Sequence, residues 1–429
     1  MPKTTTAAAA SDTRMAEGVS VLRAVLTVFI PFAGGYFLSY LFRSINAVIA
    51  PQLVSEIGLT AADLGLLTSA YFLTFAAFQL PLGLLLDRFG PRRVQSVLLL
   101  SGAVGAAVFS FGNALEPLLL GRALIGLGVA GGLMASFKAI TLWFPSDRWA
   151  MVNGCFLGMG GLGAIAATAP TEAALQFTDW RGIFLILSGV TVVASGIIFL
   201  IVPERDTAAK TQTLADQLRG LGSVYGDPLF WRVAPVAAAS LAASMAIQSL
   251  WAGPWLRDIA GFDRGAVAGG LLGLAVAMTA GFILIGAVSD FLRRRGISAL
   301  QMMGGILLLY YGAQVMIVFE LLPHSIWPWL VFGFTGNVGN LAYAHLSRHF
   351  PIELAGRANT ALNLLTFLSV FLTQYGIGLI IDQWPATAAG GYLPEAYRAA
   401  LGSFLAIQLT AYLWFLVASQ RLKQARTGA

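Results

Sequence analysis

The most informative segment of the chain is Gly83-Leu84-Leu85-Leu86-Asp87-Arg88-Phe89-Gly90-Pro91-Arg92-Arg93, which lies between apolar runs at about 61–86 and 94–112. Gly90 and Pro91 predict a tight turn, because glycine adopts turn conformations freely and proline fixes its own backbone angle. The charges beside the turn lie where two apolar helices end. Ion pairs at such a place can hold packed helices in one arrangement and release them in another. We therefore predict a gate formed by Gly83, Asp87, Arg88, Gly90, Arg92 and Arg93.

A weaker copy of this segment occurs in the second half of the chain. Gly286-x-x-x-Asp290-x-x-Arg293-Arg294-Arg295 follows another apolar run, and Gly286 lies 203 positions after Gly83. Repeats of this kind build the two halves of many transporters. Asp290 and Arg293 therefore join the predicted gating residues. Arg148 joins them too, as an arginine that we expect to pair with Asp87.

The composition is that of a membrane protein with many spans. Hydrophobic residues make up 57% of the chain, charged residues 11%, and the mean hydropathy is +0.77. Soluble domains carry about a quarter charged residues. The 429 residues leave room for about twelve spans of ~20 residues each. All spans must be helical, because lipid satisfies no backbone hydrogen bonds.

We predict an all-α membrane protein with twelve transmembrane helices, α1–α12, in two pseudo-symmetric six-helix bundles at 24–203 and 230–419. A linker at 204–229 joins the bundles, and its leucines at helical spacing predict a short interfacial helix. Tails occupy 1–23 and 420–429. The predicted spans are 24–53, 61–86, 94–113, 117–144, 149–174, 182–203, 230–256, 265–289, 298–321, 325–347, 358–383 and 397–419.

The basic residues predict the orientation. Of the 26 lysines and arginines, 19 lie in the tails and loops on the side of the N-terminus, four lie on the opposite side, and three lie within helices. The positive-inside rule therefore places both termini in the cytoplasm. Residues 1–20 have no apolar core before a cleavage site, so we expect a tail and not a signal peptide. We expect a bacterial-type inner membrane and no nucleic-acid partner.

Several function classes find no support in the sequence. A nucleotide-binding loop of the G-x-x-x-x-G-K-[ST] type is missing from the sequence, and so is a soluble domain large enough for an ATPase. One cysteine and three scattered histidines give no disulfide framework and no metal cluster. We therefore expect no cofactor, no metal and no enzyme. A membrane receptor or sensor is the non-transport alternative, and it would need an extramembrane domain.

The segment around Gly83 resembles the loop between helices 2 and 3 of major facilitator superfamily transporters. The resemblance implies alternating access to one central site between the two halves. The α1 pattern Tyr40-x-x-Arg43-x-x-Asn46-x-x-x-Ala50-Pro51 is similar to that of the anion:cation symporter branch, which implies organic anions as substrates and Arg43 as a substrate-binding residue. Further similarity lies in Leu64-Gly65-Leu66-Leu67-x-Ser69-Ala70-Tyr71, Gly121-Arg122-x-x-x-Gly126-x-Gly128, Trp143-Phe144-Pro145 and Trp180-Arg181-x-x-Phe184.

Three cations within predicted helices, Arg43, Arg122 and Lys138, are the first candidates for substrate contact. Each costs on the order of 2.5–3.5 kcal/mol at a helix centre. The acidic residues in the spans lie only at helix ends, so the membrane interior is net positive and predicts an anionic substrate. Arg122 and Lys138 lie about 160° apart on a straight helix. Lys138 could alternatively extend toward the inner surface, and Arg122 could be structural.

The other candidates are polar or aromatic residues in apolar helices. Amides in lipid need partners, so each either bonds a neighbouring helix or faces a water-filled cavity. Aromatic side chains there either wall a cavity or pack between helices. The candidates are Tyr71, Gln248, Trp251, Asn337, Asn340, Asn363 and Gln374.

Energy coupling is left open by two departures from the family pattern. Proton-coupled members of the branch commonly carry acids at the positions of Phe42 and Val129. Uniport, exchange and coupling through another group are all open, and so is membership of a different branch of the superfamily. We predict a monomeric transporter of a small organic anion, such as a sugar acid. Inorganic anions, small peptides and efflux by proton antiport are alternatives, although α5 lacks the Gly-Pro pair typical of drug:proton antiporters.

Overall fold

The structure is a computed structural model that describes residues 21–145, 148–204, 214–387 and 390–427. Helices and turns make up these residues, and no strand occurs among them. Nine of the described helices are long and apolar enough to cross a membrane. One of them, Ala61–Phe111, holds two spans. With the shorter α5 and the interrupted α10, the described residues account for all twelve predicted segments, and the all-α fold is confirmed.

The helix bounds follow the predicted spans closely. In the first half, α1 consists of Val21–Ala24, Val25–Phe29, Ile30–Ser44 and Asn46–Ile57, α2 and α3 form Ala61–Phe111, α4 consists of Leu115–Val129 and Gly132–Trp143, α5 of Trp149–Ala166 and Ala169–Ala174, and α6 is Trp180–Ile201. In the second half, α7 consists of Pro228–Ala246, Ile247–Trp251 and Ala252–Asp258, α8 is Arg264–Arg294, α9 is Ala299–Val318, α10 consists of Trp327–Thr335, Val338–Asn340 and Leu341–His349, α11 is Ile352–Ile381, and α12 is Pro394–Thr427.

The predicted turn between α2 and α3 is confirmed at Gly90. This residue has φ 75° and ψ 163° inside an otherwise continuous helix. Side chains with a Cβ rarely adopt a positive φ, so glycine is required there. Pro91 follows and begins α3. We call the end of the molecule at which this turn lies the motif end, and the opposite end the far end.

The linker contains the predicted helix, at Leu214–Tyr225. Leu221 and Val224 are buried against the protein, whereas Leu218 is exposed. The Tyr225 hydroxyl donates to the carbonyl of Ala361 in α11 at 3.1 Å. The linker helix is therefore docked on the motif end of the bundle.

Among the described residues, the first and fourth helices of each half are interrupted, and α5 is also divided, between Ala166 and Ala169. α1 contains a π-helical turn at Val25–Phe29 and α7 contains one at Ile247–Trp251. α4 breaks between Val129 and Gly132, and α10 passes through a 3-10 turn at Val338–Asn340. Such local departures from α-helix often mark functional sites. In transporters, interrupted helices commonly surround the substrate site.

The two halves meet tightly along α2 and α11. A Cβ on Gly65 would lie 2.8 Å from the carbonyl oxygen of Gln374, and one on Gly378 would lie closer still to that of Ala61. Both distances are too short for any larger residue, so the two backbones touch directly. Small residues at helix crossings allow this approach in membrane proteins.

Candidate functional site

A small cavity lies between the two halves, among α1 of the first half and α7, α8 and α10 of the second. Its volume is about 20 Å³, which is room for about one water molecule. α1 contributes Arg43, and α7 and α10 contribute Gln248 and Asn337. The full lining is Tyr40, Arg43, Ser44, Ser244, Met245, Gln248, Ser249, Met278, Phe282 and Asn337.

Arg43 is the one cation among the described residues of this lining, and it is only 9% exposed. Its guanidinium carbon lies 4.4 Å from the ring centroid of Tyr40 and 5.8 Å from that of Phe75. These rings hold the charge by cation–π attraction, which strengthens when water is excluded. Among the described residues, Arg43 Nε has no hydrogen-bond partner. A buried guanidinium with an unused donor fits a site for an anion.

Further hydrogen-bond donors line the same cavity. Asn337 is 7% exposed, and its Nδ2 has no partner among the described residues. Gln248 and three serine hydroxyls add polar groups to the walls. Within the described part of the chain, no acidic residue lines the cavity. The arrangement combines one positive charge with neutral donors, a set suited to a carboxylate or another oxyanion.

Arg122 and Tyr71 support α1 and do not line the cavity. Arg122 is 1% exposed, and its Nη1 donates to the carbonyl of Phe42 at 2.7 Å. The Tyr71 hydroxyl donates to the carbonyl of Ser39 at 3.1 Å. Arg122 Nε and Nη2 have no partner among the described residues. Both side chains therefore fix the α1 backbone close to Arg43, and their direct contact with a substrate stays a prediction.

Three of the second-half candidates bond neighbouring helices. The Gln374 amide donates to the carbonyl of Ala246 at 2.8 Å and accepts from Trp251 Nε1 at 3.1 Å. Asn363 Nδ2 donates to Gln79 Oε1 across the two halves at 3.3 Å.

The remaining amide, Asn340, is half-buried in the 3-10 turn outside the cavity lining. Of the seven polar and aromatic candidates, the structure brings Gln248 and Asn337 to the cavity beside Arg43.

Lys138 lies at the motif end, away from the cavity. Its Nζ pairs with Asp87 Oδ1 at 2.5 Å and donates to the carbonyl of Leu86 at 2.9 Å. The break in α4 does not bring Lys138 to the cavity with Arg43. In this conformation Lys138 is not close to the central cavity, so the structure does not support its prediction as a substrate-binding residue. The structure gives Asp87 a partner on α4 that the sequence did not predict.

The other gating candidates gather around the same turn. Arg93 pairs with Glu204 at 2.5 Å, and Arg92 lies 3.9 Å from the same carboxylate. A Cβ on Gly83 would lie 3.2 Å from Gln217 Nε2 of the linker helix. Arg148 is exposed at the start of α5.

The pairing of Arg148 with Asp87 stays a prediction. The side chains of Asp290 and Arg293 lie outside the described part of the structure.

Two polar links join the halves at the far end. Glu172 of α5 pairs with Arg264 of α8 at 2.5 Å. The Asp382 carboxylate, at the end of α11, accepts from the backbone N–H groups of Ala61 and Ala62, each at 2.9 Å. These N–H groups open α2, and a carboxylate at a helix N-terminus is favoured by the helix dipole. The sequence placed these acids at helix ends but did not show their partners.

The comparisons with known sequences agree on one family. The chain matches the sequence profile of the Major Facilitator Superfamily over residues 32–374. It is 27% identical over 192 residues to the probable sulfoacetate transporter SauU of Cupriavidus necator, covering 45% of this chain and 44% of that protein. It is 28% identical over 267 residues to the D-galactonate transporter of Escherichia coli O6:H1, covering 62% and 58%. The fungal efflux pump hmp6 of Hypomyces subiculosus is 29% identical, covering 41% and 31%.

The matched region spans less than two thirds of the length of each of these curated relatives. Solved structures extend the likeness over nearly the whole chain. A bacterial homolog of the human lysosomal transporter Spinster, in an inward-facing and occupied conformation, superposes with TM-score 0.75 at 18% identity and covers 94% of this chain and 98% of that one. The nucleoside transporter NupG gives TM-score 0.71 at 12% identity, covering 91% and 98%. At these identities the likeness shows the fold alone.

Proposed function

Because the chain belongs to the Major Facilitator Superfamily, we propose that it is a secondary transporter that carries a small organic anion by alternating access. The observation that supports the proposal most is Arg43, a buried cation in a cavity between the halves whose described lining holds no acid. A substrate carboxylate would supply the missing counter-charge. Two relatives, a probable sulfoacetate transporter and a D-galactonate transporter, are in accord with this substrate class.

The size of the cavity supports movement of the two halves. Sites for drug-sized ligands have volumes of about 300–1,000 Å³, whereas this cavity has about 20 Å³. The halves must therefore separate before a substrate enters. Separation at the far end would break the Glu172–Arg264 and Asp382 links. We assign these links to the gate that closes that end.

The orientation and location follow from the distribution of basic residues. We propose that the motif end is cytoplasmic, since the tails and loops on that side hold 19 of the 26 lysines and arginines, in accord with the positive-inside rule. We further propose a bacterial-type inner membrane, because relatives such as those from Cupriavidus necator and Escherichia coli are bacterial, and one chain as the working unit.

A binding screen on the purified full chain tests the substrate class. Sulfoacetate, galactonate and nitrate are compared with galactose as a neutral analogue, with thermal unfolding as the readout. A bound substrate stabilises the folded state, by about 2.7 kcal/mol at a hundred times its Kd. We expect at least one organic anion to raise the Tm of the parent and not that of Arg43→Ala. Stabilisation by uncharged drug-like compounds alone would instead favour the efflux function of relatives such as hmp6.

Asp87→Asn is expected to slow turnover more than it weakens substrate binding. The substitution removes the carboxylate that pairs with Lys138, and with it a link between α2 and α4 at the motif end. Uptake into proteoliposomes should show a lower maximal rate and a KM close to that of the parent. Asp216→Asn, an acid on the linker helix paired with Arg219 at 3.3 Å, is the matched control.

The proposed gate also predicts a change in accessibility. Cysteine probes at the motif end, in a Cys155→Ser background, should react at a different rate in Asp87→Asn. Equal reactivity together with an unchanged maximal rate would show that the ion pair plays no part in gating.

An inward proton gradient is expected to stimulate uptake only weakly. Phe42 and Val129 fill the usual acid positions, and both are buried among apolar residues. Of the acids at the far end, Glu172 is paired with Arg264 and Glu320 with Arg398 at 3.2 Å. Both carboxylates are therefore engaged by arginines in place of a proton.

The measurement is uptake in sealed vesicles with an imposed pH gradient at zero potential. The substrate must be fully ionised, and the comparison is with a triple variant that neutralises Glu172, Glu320 and Asp382. Strong accumulation that survives in the triple variant would reveal a proton site elsewhere in the chain.

A further inference from the structure

A second cavity lies at the motif end, within the first half of the chain. It has a volume of about 430 Å³, and its walls are the turn between α2 and α3 and the ends of α4 and α6. Of the residues that the structure describes, four charged ones line it: Arg88, Arg92, Arg93 and Glu204. Three arginines and one carboxylate leave a formal charge of +2. This cavity is separate from the central site, since the two share no lining residue.

The single carboxylate does not use all the donors of the arginines. Glu204 pairs with Arg93 at 2.5 Å and lies 3.9 Å from Arg92. Arg92 Nε is buried and has no hydrogen-bond partner among the described residues. The guanidinium of Arg88 lies 5.2 Å from the ring centroid of Phe89. The pocket therefore has room, positive charge and a buried unused donor, which together suit an anionic ligand with several oxygens.

The surroundings of the pocket are apolar and exposed. Phe89 is 44% exposed, and on the adjoining surface of α6 Phe199 is 48% and Leu200 is 78% exposed. Arg92 stacks on Phe199 at 5.1 Å, so the charged pocket meets this apolar surface directly. In a protein that spans a membrane, this surface faces the lipid chains. A ligand that fills the pocket and lies along the surface has an anionic head and an apolar tail.

We propose that this pocket binds the phosphate headgroup of an anionic glycerophospholipid. Basic pockets between the ends of transmembrane helices recognise such headgroups, and the arginine fork matches the oxygens of a phosphate. The bound lipid connects the α2–α3 turn to the ends of α4 and α6. It thereby braces the motif end of the first half, which must move as one body when the halves separate. The proposal requires a membrane location and does not depend on the substrate or on the direction of transport.

The test is native mass spectrometry of the full chain, in detergent with added lipid. Phosphatidylglycerol is compared with phosphatidylcholine, which carries the same phosphate but no net charge. We expect the parent to retain more phosphatidylglycerol than phosphatidylcholine. Arg88→Gln should bind phosphatidylglycerol about fivefold more weakly, which is the effect of losing one arginine near an anionic headgroup. Arg295→Gln is the matched control, because Arg295 stacks on the exposed Phe291 at 4.4 Å and lies outside this cavity. Its lipid binding should equal that of the parent.

A test with inorganic phosphate distinguishes a lipid headgroup from a free phosphate ion as the ligand of this pocket. The phosphate is added alone, and thermal unfolding of parent and Arg88→Gln is followed. Phosphatidylglycerol should raise the Tm of the parent more than that of Arg88→Gln, and millimolar phosphate should raise neither. Stabilisation of the parent by phosphate as strong as that by the lipid would assign the pocket to a soluble ion. Equal retention of the two lipids, or equal losses in Arg88→Gln and Arg295→Gln, would also overturn the proposal.

Discussion

Arg43→Ala is expected to reduce uptake of the transported anion by on the order of 100-fold, because truncating one partner of a buried charged hydrogen-bonded pair costs 2–5 kcal/mol or more. The protein should still fold and insert, because the substitution removes a buried cation that packs against aromatic rings, among them those of Tyr40 and Phe75. Arg43→Lys keeps the charge and loses the bidentate fork, so it should also be impaired. The measurement is uptake into proteoliposomes at matched protein content.

The control for Arg43→Ala is Arg219→Ala on the linker helix, whose side chain is 77% exposed. It removes an arginine of the same size and charge from a place remote from the cavity. Its uptake should match that of the parent. Uptake retained by Arg43→Ala, with its folding confirmed by size-exclusion chromatography, would remove the basis of the substrate assignment.

A cross-link between positions 172 and 264 is expected to stop transport completely. Glu172 and Arg264 belong to different halves and pair directly at the far end, so a covalent link there prevents that end from opening. The experiment uses Glu172→Cys/Arg264→Cys in a Cys155→Ser background, treated with a bifunctional thiol reagent that a reductant can cleave. Uptake should disappear on cross-linking and return after reduction.

The matched control for the cross-link is Glu320→Cys/Arg398→Cys. These two residues pair at the same end but lie in the same half, Glu320 just after the end of α9 and Arg398 near the start of α12. The same reagent should leave their uptake intact. If the 172–264 cross-link forms quantitatively and transport continues, the far-end gate lies elsewhere or the halves do not separate there.

The fold was largely predictable from local signals. Long apolar runs specify membrane helices without any knowledge of their neighbours, and Gly90 with Pro91 marked the turn. A functional role for Arg43 could also be predicted from the sequence, because a cation within a membrane helix costs enough free energy to indicate a function. Its aromatic partner Tyr40 lies three positions earlier, which places both residues on one face of a helix.

The side-chain partners were not predictable in the same way. Lys138 pairs with Asp87 and does not line the central cavity, because the packing of α4 against α2 brings these two side chains together. In the sequence, Gln374 and Asn363 were candidates of the same kind as Gln248 and Asn337. The way the helices pack decides that the first two bond neighbouring helices and that the last two line the cavity. Glu172 and Arg264 lie in different halves of the chain. No local pattern in a single sequence predicts a pair between such distant positions.

The most direct measurement of the central claim is an experimental structure of the full chain with the anion that the binding screen identifies. We predict that its carboxylate or sulfonate oxygens lie within hydrogen-bond distance of the Arg43 guanidinium, with Asn337 or Gln248 as a second donor from the other half. The central cavity should then be wider than in the present conformation. An anion bound away from Arg43, at Arg122 or Lys138 or outside the interface between the halves, would contradict it.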